Sequence, residues 1–332
     1  MDNKEGNVHS ISRSNSAVVA VALVAVLVAM LALAAIPGTA QPDAVVLRSG
    51  KTLGYSGPSG GASLVGLLRA NRASSAALTS GSGRIVGSDG RLLNPPTADN
   101  GVAPAQSRAL ENLVWSVIGS APGTWAVLIK HLDTGERVAI NAETQMNVAS
   151  LYKLQVLYAA YVDERAGRLS LSEMLPEGWT VRQALRAMIT VSDNDAAYSL
   201  LRRIGTARVN AIMYDLGLTQ SYIDEWGWST ARETAILLEM IALGEAVDPA
   251  ASRAMRSLLF DQEINDRIPL YLPPGIVAHK TGELPGIRND AGIVYGPSGP
   301  YLMVVVTSDL PDEDYGASII ADLSLAVYRY FN

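Results

Sequence analysis

The stretch Ser150-Leu151-Tyr152-Lys153 decides how the rest of this chain is read. It follows two strand-like segments and opens a helical pattern of apolar residues. Ser and Lys three positions apart lie on one face of a helix. A serine hydroxyl is a weak nucleophile until a base removes its proton. A lysine amine can be that base where burial or a neighbouring positive charge lowers its pKa. A serine in the first helical turn also sits where the helix dipole and free N–H groups favour developing negative charge. Taken alone, the tetrapeptide is equally a plain helix start followed by a surface lysine.

Upstream of it, apolar residues at helical spacing predict a helix over 109–118. A strand is predicted over 124–131, and Asp133-Thr134-Gly135 turns the chain into a second strand over 137–141, making a hairpin. Downstream, a helical block runs over 150–241, broken near Pro176 and near Trp226-Gly227-Trp228. Strands return at 276–280, 291–295 and 301–308, and the chain ends in an amphipathic helix over 315–331. Strands at both ends with helices between them predict an α+β fold. One antiparallel sheet is closed by distant parts of the chain, N- and C-terminal helices cover one face, and an all-helical subdomain lies between the strands.

Three zones organise the 332 residues. Residues 1–16 are polar and read as a cytoplasmic leader. Residues 17–36 are an unbroken apolar run, long enough to cross a hydrocarbon core of about 30 Å. Pro37-Gly38-Thr39-Ala40 resembles a signal-peptidase site, so a membrane anchor and a cleaved secretion signal compete, with the anchor favoured because signal-peptide apolar cores are shorter. Either way the remainder lies outside the cytoplasm. Residues 41–103, rich in Gly, Ser, Ala and Pro, read as a flexible tether, and 104–332 as the folded domain.

The composition excludes several chemistries. With a net charge of −6 and no basic patch, nucleic acid is not an expected partner. There is no cysteine, which removes thiolate nucleophiles, thiolate zinc sites and disulfides. Only His9, His131 and His279 are present, far apart, so neither a multi-histidine metal centre nor a Ser-His-Asp triad is expected. Nothing calls for a metal or an organic cofactor.

Two further tripeptides share the apolar-flanked setting of the serine. Ser192-Asp193-Asn194 closes the helical run 180–191, where these residue types also serve as turn formers and caps. Lys280-Thr281-Gly282 ends a predicted strand, where a cation suits a substrate carboxylate and a glycine lets another backbone approach the edge. Each alone reads as ordinary structure. In this order, S-x-x-K, S-D-N and K-T-G resemble the signature set of class A β-lactamases and penicillin-binding proteins. The segments Gly178–Arg182 and Ala187–Asn194 resemble the approach to the S-D-N loop there, and Gly286–Asp290 the strand after K-T-G. The resemblance covers 104–332.

The resemblance implies a role for each matching residue. Ser150 is the acylated nucleophile and Lys153 its base or proton relay. Ser192 passes a proton toward the leaving nitrogen. Asn194 holds the substrate amide, and Lys280 and Thr281 receive its carboxylate, with Arg288 as a further carboxylate binder placed one position early. The backbone N–H groups of Ser150 and Glu283 form the oxyanion hole, although Glu283 stands where these enzymes usually carry a small or hydroxyl residue. It also implies a bacterial cell envelope, with the domain held outside the membrane or secreted.

Two departures bear on function. The segment from Lys153 to Ser192 is short for a class A β-lactamase, and the E-x-x-L-N element carrying the deacylating glutamate is not recognisable. Asp224 and Glu225 are the candidate replacements, though an acidic pair in a turn is as readily just solvated. The expected activity is hydrolysis of β-lactam amides through an acyl-enzyme at Ser150. The alternatives are a D,D-peptidase acting on peptidoglycan stem peptides and a non-catalytic penicillin- or cell-wall-binding module. His279 is expected on the strand face opposite Lys280, and Trp226 and Trp228 either wall the cleft or pack in the core.

Overall fold

A computed structural model describes residues 107–332; residues 1–106, with the leader, apolar segment and tether expected there, lie outside the described residues. Helix α1 (Arg108–Ile118) is capped by Ser107, whose hydroxyl accepts the Leu110 N–H. Strands β1 (Thr124–His131) and β2 (Arg137–Ile140) form the expected hairpin. The chain then makes the two-residue strand β3 (Met146–Asn147) and a 3-10 turn (Ala149–Tyr152) that hands over to helix α2 (Lys153–Arg165). Ser150 therefore lies in the 3-10 turn that precedes the helix, not in the helix itself.

Helices α3 (Val181–Thr190), α4 (Asn194–Ile204) and α5 (Thr206–Asp215) follow, then the small hairpin β4 (Tyr222–Ile223) and β5 (Gly227–Ser229). Helices α6 (Ala231–Leu243) and α7 (Pro249–Phe260) lead to strands β6 (Val277–Leu284), β7 (Ile287–Gly296) and β8 (Gly299–Ser308), and helix α8 (Glu313–Phe331) ends the chain. The main sheet is antiparallel in the order β2-β1-β8-β7-β6, with β6 at an edge. The break near Trp226-Gly227-Trp228 is a second sheet, β3-β5-β4.

Alternation along the strands explains why both faces are dry. On β1, Trp125, Val127 and Ile129 face the terminal helices α1 and α8, where they join Leu110, Val114, Ile320 and Leu323. Ala126 and Leu128 face the helical subdomain, with Leu302, Val304 and Val306 of β8. At the centre of that second cluster is α2. Its residues from Lys153 to Asp163 are all buried, as expected of a helix with no polar face. The α+β architecture expected from the sequence is the one observed.

Two local readings change. Lys280-Thr281-Gly282 does not end its strand, because β6 continues to Leu284 and turns back at Pro285-Gly286, with Leu284 paired to Ile287. A two-residue loop with Gly286 at φ +73° closes the hairpin there. Helix α7 lies beyond the helical block read from the sequence, which stops at 241. Asp248 caps it by accepting the N–H groups of Ala250 and Ala251, and Pro249 occupies its first turn.

Candidate active site

The three motifs meet where the 3-10 turn of Ser150 packs on the edge strand β6 and Lys153, just after the turn, reaches the α3–α4 junction. The contact with β6 depends on Gly282. A methyl group added there would fall 2.7 Å from the Val148 carbonyl oxygen and 3.2 Å from the Ser150 nitrogen. The strand can run that close to the Ser150 backbone only because the residue has no side chain. Ser150 itself is partly exposed, while Lys153, Lys280 and Thr281 are buried.

Ser192 is the hub. Its hydroxyl accepts from Lys280 Nζ at 2.9 Å and from Lys153 Nζ at 3.2 Å. Lys153 Nζ also donates to the Ser192 carbonyl at 2.6 Å and to Asn194 Oδ1 at 2.8 Å. Asp193 caps α4 by accepting the Ala196 N–H, which fixes the S-D-N junction against the helix. Thr180 and Gln183 form a capping box that starts α3, the helix leading into this junction. Ser192 (φ +58°) and Ala149 (φ +47°) both hold left-handed backbone without being glycine. Such strain costs on the order of 1–3 kcal/mol per residue and gathers at sites where surrounding packing enforces a geometry.

Burial sets the electrostatics. It lowers the Lys153 amine to about 8, against an opposing pull from the Asp193 carboxylate. Lys280 is pushed well below its ordinary value, by burial first and then by the charge of Lys153, with Arg267 adding to the repulsion. Two lysines sharing one hydroxyl in a dry site are arranged so that one of them gives up its proton readily.

Two arginines stand beside Glu283 of β6. Arg288 is half-buried, donates from Nη1 to the Ile287 carbonyl, and bonds through its backbone N–H to Thr307 Oγ1. Arg267, which the sequence reading passes over, is fully buried and close enough to Lys280 to shift its proton affinity. Its Nη2 donates to Glu283 Oε2 at 2.6 Å, while Nε and Nη1 have no hydrogen-bond partner. No local signal marks it: Asn265-Asp266-Arg267 reads as a polar loop, and its burial comes from packing against distant strands.

The acids Asp224 and Glu225 are exposed at the tip of the β4–β5 hairpin. Asp224 Oδ1 is committed to its own turn, accepting the Trp226 N–H at 2.7 Å and the Trp228 indole N–H at 3.1 Å. That hairpin rests on the Ser150 turn, since the Gly227 carbonyl accepts the Val148 N–H and Gly227 packs directly on Tyr152. Trp226 is half exposed and Trp228 stacks on Tyr222, so neither is a core residue. His279 lies on the opposite face from Lys280, as alternation requires, bonded to Asp290 at 2.8 Å and to Asn265 at 3.2 Å. Among the described residues no cluster of metal-ligating side chains occurs.

An antiparallel sheet backed by terminal helices, with a helical subdomain on its other face, defines a fold of the β-lactamase and penicillin-binding-protein type. The chain belongs to the beta-lactamase enzyme family, whose model matches residues 107–331. Among curated relatives, a beta-lactamase of Streptomyces lavendulae is 30% identical over 161 residues, which cover 43% of this chain and 53% of that protein, so the match spans about half of that relative. A beta-lactamase of Streptomyces fradiae is 25% identical over 230 residues, 57% of this chain and 75% of the relative. The solved structure of PBP-A superposes with a TM-score of 0.64 at 24% identity, covering 69% of this chain and 99% of that one. The beta-lactamase of Sphaerobacter thermophilus gives 0.62 at 24%, covering 67% and 96%. These superpositions establish the fold.

Proposed function

We propose that this chain takes β-lactam amides onto Ser150 as an acyl-enzyme and releases them slowly. The observation that carries the reading is the shared hydroxyl of Ser192, bonded to both Lys153 and Lys280, with Gly282 holding β6 against the Ser150 nitrogen. In this mechanism the neutral amine of Lys153 takes the Ser150 proton as Oγ attacks the amide carbonyl. The oxyanion is received by the backbone N–H groups of Ser150 and Glu283, and losing one such donor costs about 2.7–4 kcal/mol of barrier. Ser192 delivers its proton to the leaving nitrogen and regains one from the Lys153 ammonium, while Asn194 orients the acyl-side amide. Lys280, Thr281 and Arg267 receive the carboxylate of the substrate.

Slow release rests on the α5–α6 connection. It carries a hairpin whose two acids are exposed and whose Asp224 carboxylate is engaged in its own turn, so neither acid is held as a buried base for water. The lack of a recognisable E-x-x-L-N element favours the second reading, a D,D-peptidase taking cell-wall stem peptides as acyl donors. A penicillin-G acyl-enzyme has been seen for a point mutant of PBP-A, a protein of this fold.

Intact-mass measurement with a penicillin, together with burst kinetics on a chromogenic cephalosporin, tests the reading. The expected result is one stoichiometric adduct on Ser150 that persists for minutes or longer. Rapid sustained turnover would overturn slow release, and the absence of both adduct and turnover would leave the binding module. We also place the domain outside the cytoplasm, anchored by 17–36 or released by cleavage after it. The N-terminal mass of the protein recovered from bacterial cells decides between the two.

A further inference from the structure

A fully buried guanidinium needs an anion beside it, since an unpaired buried charge is among the costliest features a fold can carry. Arg267 has Asp266 at 3.6 Å from Nε as an ion pair too long for a hydrogen bond, and its one short hydrogen bond is to Glu283. Nε and Nη1 remain without hydrogen-bond partners. Glu283 follows Lys280-Thr281-Gly282 on the edge strand, and its side chain is 50% exposed where that of Arg267 is 0%. Along β6, Thr281 and Glu283 share one face of the strand, so the carboxylate of Glu283 stands on the side where Thr281 and Arg267 would receive a substrate carboxylate. In the proposed mechanism the Glu283 N–H serves the reacting carbonyl, while its carboxylate occupies Arg267.

We propose that the Glu283 side chain is a specificity-determining group, a resident anion that any carboxylate-bearing acyl donor must displace from Arg267. This inference rests on the acyl-enzyme reading above and deepens it by naming the substrate class. Donors with an uncharged or cationic group beside the scissile amide meet a matched, neutralised corner. Donors with a carboxylate there meet like charge and must first push Glu283 out to solvent. Half-exposure makes that displacement feasible, so anionic donors are slowed and not excluded. The small or hydroxyl residue usual at this position in the family leaves the cation open.

The test compares two probes with the same acyl group, benzylpenicillin and its methyl ester, by the second-order rate of Ser150 acylation in the full chain. The readout is the ratio of the two rates. In Glu283→Gln, and independently in Glu283→Ser, the ratio of penicillin to ester is expected to rise about tenfold, the scale at which rearranging one close charge pair is felt. An equal ratio in the wild type and both variants, or a fall, would overturn the role of Glu283 while leaving acylation itself standing. A Ser150 that neither probe acylates in any of the three proteins would sink the acyl-enzyme reading, and this inference with it.

Discussion

In the proposed mechanism Lys153 is the residue whose state decides the rate. Its amine sits near 8 because burial disfavours the ammonium, and only the unprotonated form accepts the Ser150 proton. The sign follows directly. Below the shifted pKa the base is scarce, so the acylation rate should climb about tenfold per pH unit and then level off above about 8. Stopped-flow acylation between mildly acidic and alkaline pH checks this, and a rate that falls as pH rises through that range would remove Lys153 as the base. Lys153→Arg keeps a cation but has no neutral form to offer, and should lower acylation by about 10²–10⁴. At the carboxylate corner the two arginines make opposite predictions. Arg267→Ala removes a buried cation near Lys280 and should lower benzylpenicillin acylation at least about tenfold. Arg288→Ala removes a side chain tied to the Ile287 carbonyl and should change the rate by less than about threefold. The same rate assay on both variants separates them, and the reverse order would restore Arg288 to the role its sequence position suggests.

At the scale of elements, the site is an alignment of an edge strand, a 3-10 turn and a helix junction, and glycines set two of the spacings. Gly282→Ala would place a methyl 2.7 Å from the Val148 carbonyl, a backbone atom that cannot rotate away. Prying β6 from the Ser150 turn should slow acylation far more than it lowers the melting temperature. Gly227→Ala would bring a methyl to the Tyr152 Cβ itself, an overpacking that costs roughly 1–3 kcal/mol and should show as a lower melting temperature. Circular dichroism melts beside acylation rates check both variants, and a Gly282→Ala protein with wild-type rates would refute the close approach. These elements also show what a linear reading can and cannot see. The hairpin β1–β2, the terminal helices and the order of the three motifs are legible, because period, turn residues and spacing are local properties. The end of β6 is not, because the glycine of Lys280-Thr281-Gly282 resembles a turn signal although it serves a close approach. Helix α7 escapes the reading despite its Asp248-Pro249 start, and Arg267 escapes it because strands far away in sequence make its burial.

For the whole molecule, the sheet is the wall between two apolar clusters of described residues. The terminal helices meet on one side: Ser107 Oγ lies 3.3 Å from Tyr330 Oη, which donates to Glu136 at 2.6 Å, so the two ends of the described chain close the same face. On the other side the helical subdomain, entered after β2 and left before β6, surrounds α2 and brings Lys153 to the sheet edge. Both faces of the sheet thus find apolar cover among the described residues. None of the helices in 107–332 is long and apolar enough to cross a membrane. The composition of 41–103, rich in Gly, Ser, Ala and Pro, offers little apolar surface to add. A fragment beginning at Ser107 should therefore fold without detergent, melt in one cooperative transition, and acylate Ser150 at the rate of the full chain. Calorimetry and intact-mass kinetics on the two proteins side by side make the comparison. A fragment that aggregates, or that folds but reacts at least about tenfold more slowly, a deficit of roughly 1.4 kcal/mol in the barrier, would mean that the preceding segment builds part of the site.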